Sequence, residues 1–121
     1  MLELVLETLE TCKEYVPKLI NAATTIAYHF QSGNEAAGVE LLEPVFEGIG
    51  WVIDAVNGIQ QNRYQLDIQL DEMKELLKSL EEALEIRDYV QMADLFEYEI
   101  TPLLENWLQK IQSTYQQLKI M

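Results

Sequence analysis

Apolar residues recur along this chain at helical spacing, in four stretches separated by short polar breaks. From about Leu2 to Gln31, the residues Val5, Leu9, Cys12, Val16, Leu19, Ala23, Ile26 and Phe30 fall on one arc of a wheel turning about 100° per residue. Glu3, Glu7, Glu10 and Glu14 fall mostly elsewhere, as on an amphipathic helix with one face committed to a core. From about Glu35 to Gln60, Val39, Leu42, Phe46, Ile49, Ile53 and Val56 make the core face. A second strip, Leu41, Val45, Val52 and Ile59, flanks that face and widens the apolar arc to about half the wheel or more. A third helix, following the polar link Gly58–Gln65 and ending near Ile86, turns Leu66, Leu70, Met73, Leu77, Leu80 and Leu84 inward. The fourth starts at Asp88 and has the strongest pattern: Tyr89, Ala93, Phe96, Ile100, Leu103, Leu104, Trp107 and Ile111, continued by Tyr115 and Leu118.

The breaks carry helix-end chemistry. Ser32-Gly33-Asn34 offers a C-terminal glycine followed by an N-cap, and Asp88 can cap the last helix by accepting from its free first-turn N–H groups. Turns this short make neighbouring helices antiparallel. The expected fold is therefore all-α, an antiparallel four-helix bundle of two tandem αα-hairpins, 1–60 and 61–121, forming one domain. Pro17, Pro44 and Pro102 lie inside the helices, on the side away from the core stripe, where a proline bends a helix around its core. Kinked but continuous helices follow from that placement; six shorter helices are the other division. Gly48, Gly50 and Gly58 signal close helix approach or a break near Gly58.

The two hairpins share a register. Sliding the chain by 54 positions puts Asn34 on Asp88, Val39–Glu43 on Ala93–Glu97 and Ile53 on Trp107. Val16, Leu19, Ala22, Ala23, Ile26 and Phe30 land on Leu70, Met73, Leu76, Leu77, Leu80 and Leu84. Identities are few, so internal duplication competes with chance likeness between two amphipathic hairpins.

Charge narrows the partners. With 21 acidic and 8 basic residues the net charge is −13, which repels nucleic acid and anionic membranes. No apolar run approaches the roughly 18 residues of a membrane span, and no signal peptide opens the chain, so a cytoplasmic protein is expected. Metal and cofactor chemistry find little to work with. The single histidine, His29, follows Ile26 at the position where a Glu-x-x-His iron motif needs glutamate. One cysteine and one histidine fall short of a zinc set. Cys12 lies mid-stripe as a small hydrophobe, and there is no phosphate loop or nucleophile elbow. A non-enzymatic protein is expected, with no cofactor.

Trp51, Leu95 and Tyr98 fit a lone bundle least, since all lie on the far side of their helices from the core stripe. Aromatic residues there suit a protein contact; a tilt of the bundle that covers them is the other account. Together with Leu41, Val45, Val52 and Ile59 they form the expected partner-binding set, which would serve a homodimer or a foreign partner.

Two segments, FQSGNEAAGVELLE and LEIRDYVQMADLFE, resemble the junctions of tetratricopeptide-type helical repeats, although a period of 54 departs from that family's. The segment DYVQMADLFEYEITPLLENW resembles a small, uncharacterised acidic helical family of bacteria. In size, charge and helical content the chain is similar to the flagellar secretion chaperones, which cradle a terminal helix of an export substrate. That likeness implies an adaptor or chaperone for an amphipathic helix. The other readings are a small-molecule-binding or phosphocarrier-type protein using His29, and a structural homo-oligomer.

Overall fold

The computed structural model describes residues 1–120 and forms an antiparallel four-helix bundle with no strand among those residues. Helix α1 spans Leu2–Gln31, α2 spans Glu35–Gln61 and α3 spans Leu70–Glu85. Helix α4 is continuous through three segments, α-helical Tyr89–Leu95, π-helical Phe96–Ile100 and α-helical Thr101–Lys119. The α1 stripe is buried as its spacing predicts: Leu9, Cys12, Val16, Ala23 and Ile26 are fully enclosed. Both α2 and α4 pack on that stripe, whereas α3 rests mainly on α4. Tyr115 near the end of α4 lies under the Lys13 ammonium of α1, 4.0 Å from the ring centroid. At the other end of the pair, Phe30 and Tyr89 stack with ring centroids 5.4 Å apart.

The turns close as their residues require. Gly33 takes φ 79°, and the Asn34 N–H returns 2.8 Å to the His29 carbonyl while the Gly33 N–H reaches Phe30. Arg87 takes φ 56°, and the Asp88 N–H returns 2.8 Å to Ala83 while the Arg87 N–H reaches Leu84. These are the same bonds displaced by 54 positions, each a helix stop made by one left-handed residue. Arg63 ends α2 in the same way, at φ 67°. Shared turn geometry is thus a property of helix ends here, and it does not by itself separate duplication from chance. Asp88 caps α4 as expected, its Oδ1 accepting from the Gln91 N–H at 3.1 Å.

Three expectations change. The third helix starts at Leu70, several residues after the polar link, and residues 62–69 run without helix. Leu66 and Ile68 are both buried there. Their spacing of two is that of extended backbone rather than helix. The Gln60 Nε2 donates to the carbonyls of both residues, each at 2.9 Å, and ties the link to the end of α2.

Second, α4 absorbs Pro102 by widening a turn. Proline has no N–H to give, and the Thr101 N–H bonds back five residues to the Phe96 carbonyl. The residue inserted by this π turn separates the register of Met92, Phe96 and Ile100 from that of Leu104, Trp107 and Ile111, all buried. Leu95, expected on the outer face, is therefore only 8% exposed, in the part of α4 that α3 packs against.

Third, α2 is rotated. Leu42, Val45, Ile49, Val52, Val56 and Ile59 are buried, while Val39 is exposed and Phe46 and Ile53 are half-buried. The core face thus sits about 60° from its expected centre, at 100° per residue, and Val45, Val52 and Ile59 are core residues instead of a free flank. Two glycines lie at the contact. A Cβ at Gly38 would lie 2.5 Å from Phe30 Cε1, and one at Gly48 would lie 2.6 Å from Leu19 Cδ2. With hydrogen at these two positions α2 lies close against α1 without displacing those side chains, in the orientation that turns the Val45–Val52–Ile59 edge inward.

The glycines should respond in opposite directions. Gly38→Ala meets the buried Phe30 ring and is expected to lower the urea midpoint despite its better helix propensity. Gly50 faces open space, so Gly50→Ala should raise stability by about 0.5–1 kcal/mol. Equal shifts for the two variants would contradict the close approach.

At the other seam, the Tyr115 hydroxyl beside Glu10 holds that carboxyl below its ordinary value of 4.5 and is itself raised above 10.0. Glu10 thus stabilises the fold above its unfolded pKa, an effect lost as pH falls. Tyr115 does so below its own unfolded pKa, an effect lost as pH rises. The stability advantage of wild type over Tyr115→Phe should be level at neutral pH and shrink toward both extremes. An undiminished advantage in acid would show that the carboxyl is not the partner.

Candidate functional site

The rotation of α2 leaves one face of the α1–α2 hairpin with a shallow apolar groove. Leu4, Thr8, Thr11 and Tyr15 line it from α1, and Trp51, Ala55, Gly58 and Asn62 line it from α2. Both sets follow the same i, i+4, i+7, i+11 spacing, so each is a single ridge of its helix. Trp51 is 42% exposed and meets the Tyr15 ring edge-on, with centroids 5.7 Å apart and planes at 86°. The recess at Thr11, Tyr15 and Trp51 measures about 350 Å³. A second recess of about 190 Å³ opens further along, where Gly58 has no Cβ to fill it and Leu4 is 58% exposed.

The threonine hydroxyls of the groove are already satisfied. The Thr8 hydroxyl donates to the Leu4 carbonyl at 2.9 Å, and the Thr11 hydroxyl donates to Glu7 at 3.0 Å. Both threonines therefore spend their hydrogen bonds within the helix. An apolar side chain could enter without stranding either threonine hydroxyl. Around the groove the charge is mostly negative. Glu3, Glu7 and Glu14 are exposed on α1, and Glu43, Glu47 and Asp54 are exposed on α2. Residues 1–60 hold only two bases, Lys13 and Lys18. Lys13 is already engaged, 3.7 Å from Glu10 and over the Tyr115 ring.

Of the residues the sequence singles out for partner contact, Trp51 alone stands exposed in this groove, and Ile59 lines its Gly58 recess while buried. Leu41 is half-buried against the core, and Val45, Val52, Ile59 and Leu95 are buried. Tyr98 is 68% exposed but stands on α4, which packs on α1 and α3, so it is separate from Trp51. Sequence reading missed Tyr15 and Leu4. The available signal was their spacing with Thr8 and Thr11, one strip beside the core stripe, which reads as a boundary until the position of α2 is known.

Other chemistry stays dispersed. His29 is half-buried, its ring 6.2 Å from that of Tyr28, and it makes no side-chain hydrogen bond among the described residues. No group of three or more His, Cys, Asp or Glu residues converges to hold a metal among them. A broader polar cleft of about 650 Å³ lies between the 62–69 link and the end of α4, where Lys110 approaches Asp67 at 3.4 Å. Among the described residues no helix is long and apolar enough to cross a membrane. Cys12 is fully enclosed, and burial pushes its thiol up to about 11.

A family model described as a domain of unknown function, DUF8042, matches residues 7–110, and the chain belongs to that family. Comparison with curated proteins and with solved structures gives no match.

The state of Cys12 is directly measurable. A rise from 9.0 to about 11 leaves roughly 100-fold less thiolate at a given pH. Labelling of the native protein by iodoacetamide at pH 8 should be slower than that of the urea-unfolded chain by at least this factor. Equal rates would place Cys12 at the surface.

Proposed function

We propose that this member of the DUF8042 family is a non-enzymatic adaptor or chaperone-like module that docks a basic amphipathic helix of a partner protein. The observation that carries the reading is the Trp51–Tyr15 groove, an apolar strip bordered on both helices by exposed carboxylates. Helix-in-groove recognition needs a preformed scaffold that presents apolar anchor positions at helical spacing. The ridges Leu4–Thr8–Thr11–Tyr15 and Trp51–Ala55–Gly58–Asn62 supply such a track. A partner side chain would fill the Gly58 recess, and a second would lie against the exposed face of Trp51. Aromatic anchors of this kind dominate interface energetics. The carboxylates would speed encounter with a lysine- and arginine-bearing helix and disfavour acidic ones. The likeness to flagellar secretion chaperones in size, charge and helical content supports the same class of function, in a cytoplasmic setting. Self-association through the groove is less favoured, because two copies would bring like-charged rims together.

Trp51 supplies both the test and the readout. In a Trp107→Phe background its emission should shift to the blue on adding a basic amphipathic peptide, drawn from any partner recovered with the wild-type chain. Binding should weaken at least tenfold in Trp51→Ala, followed by peptide anisotropy, and should fall with added salt. A peptide bound equally by both variants, or no partner retained by wild type over Trp51→Ala, would reject the groove as the docking site.

A further inference from the structure

Another recess, on the α1–α4 side of the bundle, is bordered by a buried polar atom without a partner among the described residues. It measures about 210 Å³ and is lined by Thr24, Ala27, Tyr28 and Gln31 of α1 and by Glu97 and Thr101 of α4. The π turn ahead of Pro102 sets its chemistry. Four threonines of α1 (Thr8, Thr11, Thr24 and Thr25) donate their hydroxyls to the carbonyl four residues back, at 2.9–3.0 Å. Thr101 does not do so; its Oγ1 is buried and has no hydrogen-bond partner among the described residues. The backbone is altered at the same place. The Thr101 N–H bonds to Phe96 rather than to Glu97, and the next residue, Pro102, has no N–H. The Glu97 carbonyl therefore lacks the donor that either an α or a π turn would supply.

The Glu97 side chain is in a similar state. It forms no ion pair among the described residues, and one of its oxygens accepts from Gln31 Nε2 at 2.6 Å, which holds the carboxylate across the seam. The other oxygen is open to a further donor. Tyr28 is 66% exposed at the rim and can present a ring face. The residues lining this recess thus include a carboxylate, a hydroxyl with no partner among the described residues and an aromatic ring.

We propose that this recess binds a guanidinium group. A planar fork with several N–H donors and no acceptor matches separate oxygen acceptors better than a compact ammonium does, and it stacks on an aromatic ring. Buried polar groups are normally paired, and a guanidinium would supply the missing donors to Thr101 and Glu97 together. π turns inserted in α-helices often mark functional positions. The inference does not rest on the Trp51 groove, which lies on the opposite side of α1.

The test is a titration of the ¹⁵N-labelled full chain with n-butylguanidinium and n-butylammonium at physiological salt, followed by amide shifts. Saturable shifts are expected at Ala27–Gln31 and Glu97–Thr101, with the guanidinium at least threefold tighter. Glu97→Gln and Thr101→Val should each weaken it at least tenfold. Thr101→Ser, which keeps the hydroxyl, should restore binding, and Glu105→Gln and Trp51→Ala should leave it unchanged. Shifts spread over the acidic surface, or a response indifferent to Thr101→Val, would overturn the proposal. Acetyl-Ala-Arg-Ala-amide and agmatine separate the sources. Binding of the peptide assigns the recess to an arginine of a protein, binding of agmatine alone assigns it to a small free guanidine, and failure of both overturns the site.

Discussion

Everything in this bundle depends on the apolar stripe of α1 being covered from two sides. The stripe runs the length of a 30-residue helix, from Val5 to Phe30, with most of its members fully enclosed. Burying one such side chain contributes about 1.5–3 kcal/mol, and no single neighbour can cover an arc this wide. Helix α2 closes one flank and α4 the other, while α3 reaches the core mainly through α4. The exposed features follow from that arrangement. The two seams beside α1 are where helices meet at the surface, and they hold recesses of distinct chemistry.

The recesses differ because the seams are made differently. On the α2 side, glycines permit close approach, and Gly38 and Gly48 have no room for a Cβ. Threonines there bond within their own helix, which leaves an apolar surface with Trp51 on its rim. On the α4 side, a proline removes a donor and the backbone answers with a wider turn, leaving oxygens unpartnered at Thr101 and Glu97. One seam suits apolar side chains beneath an acidic rim, and the other suits a cationic donor.

Much of the architecture was legible in the residues. The α1 stripe, both hairpin turns, the Asp88 cap and the continuity of the proline-bearing helices follow from local rules, in which each residue constrains its own turn or the face it occupies. The candidate site was only partly legible. Trp51 stood out because an aromatic residue far from a core stripe needs explaining, and it is exposed. Its neighbours in the groove come from another helix, so no pattern within α2 could identify them.

The sequence by itself determined that the chain is helical, where its turns fall, and that its surface is acidic, because helix periodicity, caps and charge are properties of nearby residues. Only the tertiary structure decided which edge of α2 faces inward. An apolar arc covering half a helix is compatible with several rotations, and the one adopted places Gly38 and Gly48 where a Cβ would crowd Phe30 and Leu19. That rotation moved Val45, Val52 and Ile59 into the core and left Tyr15 beside Trp51 at the surface. Leu95 went inward for a related reason: the π turn before Pro102 shifted the register of α4, through backbone bonds that side-chain periodicity does not record.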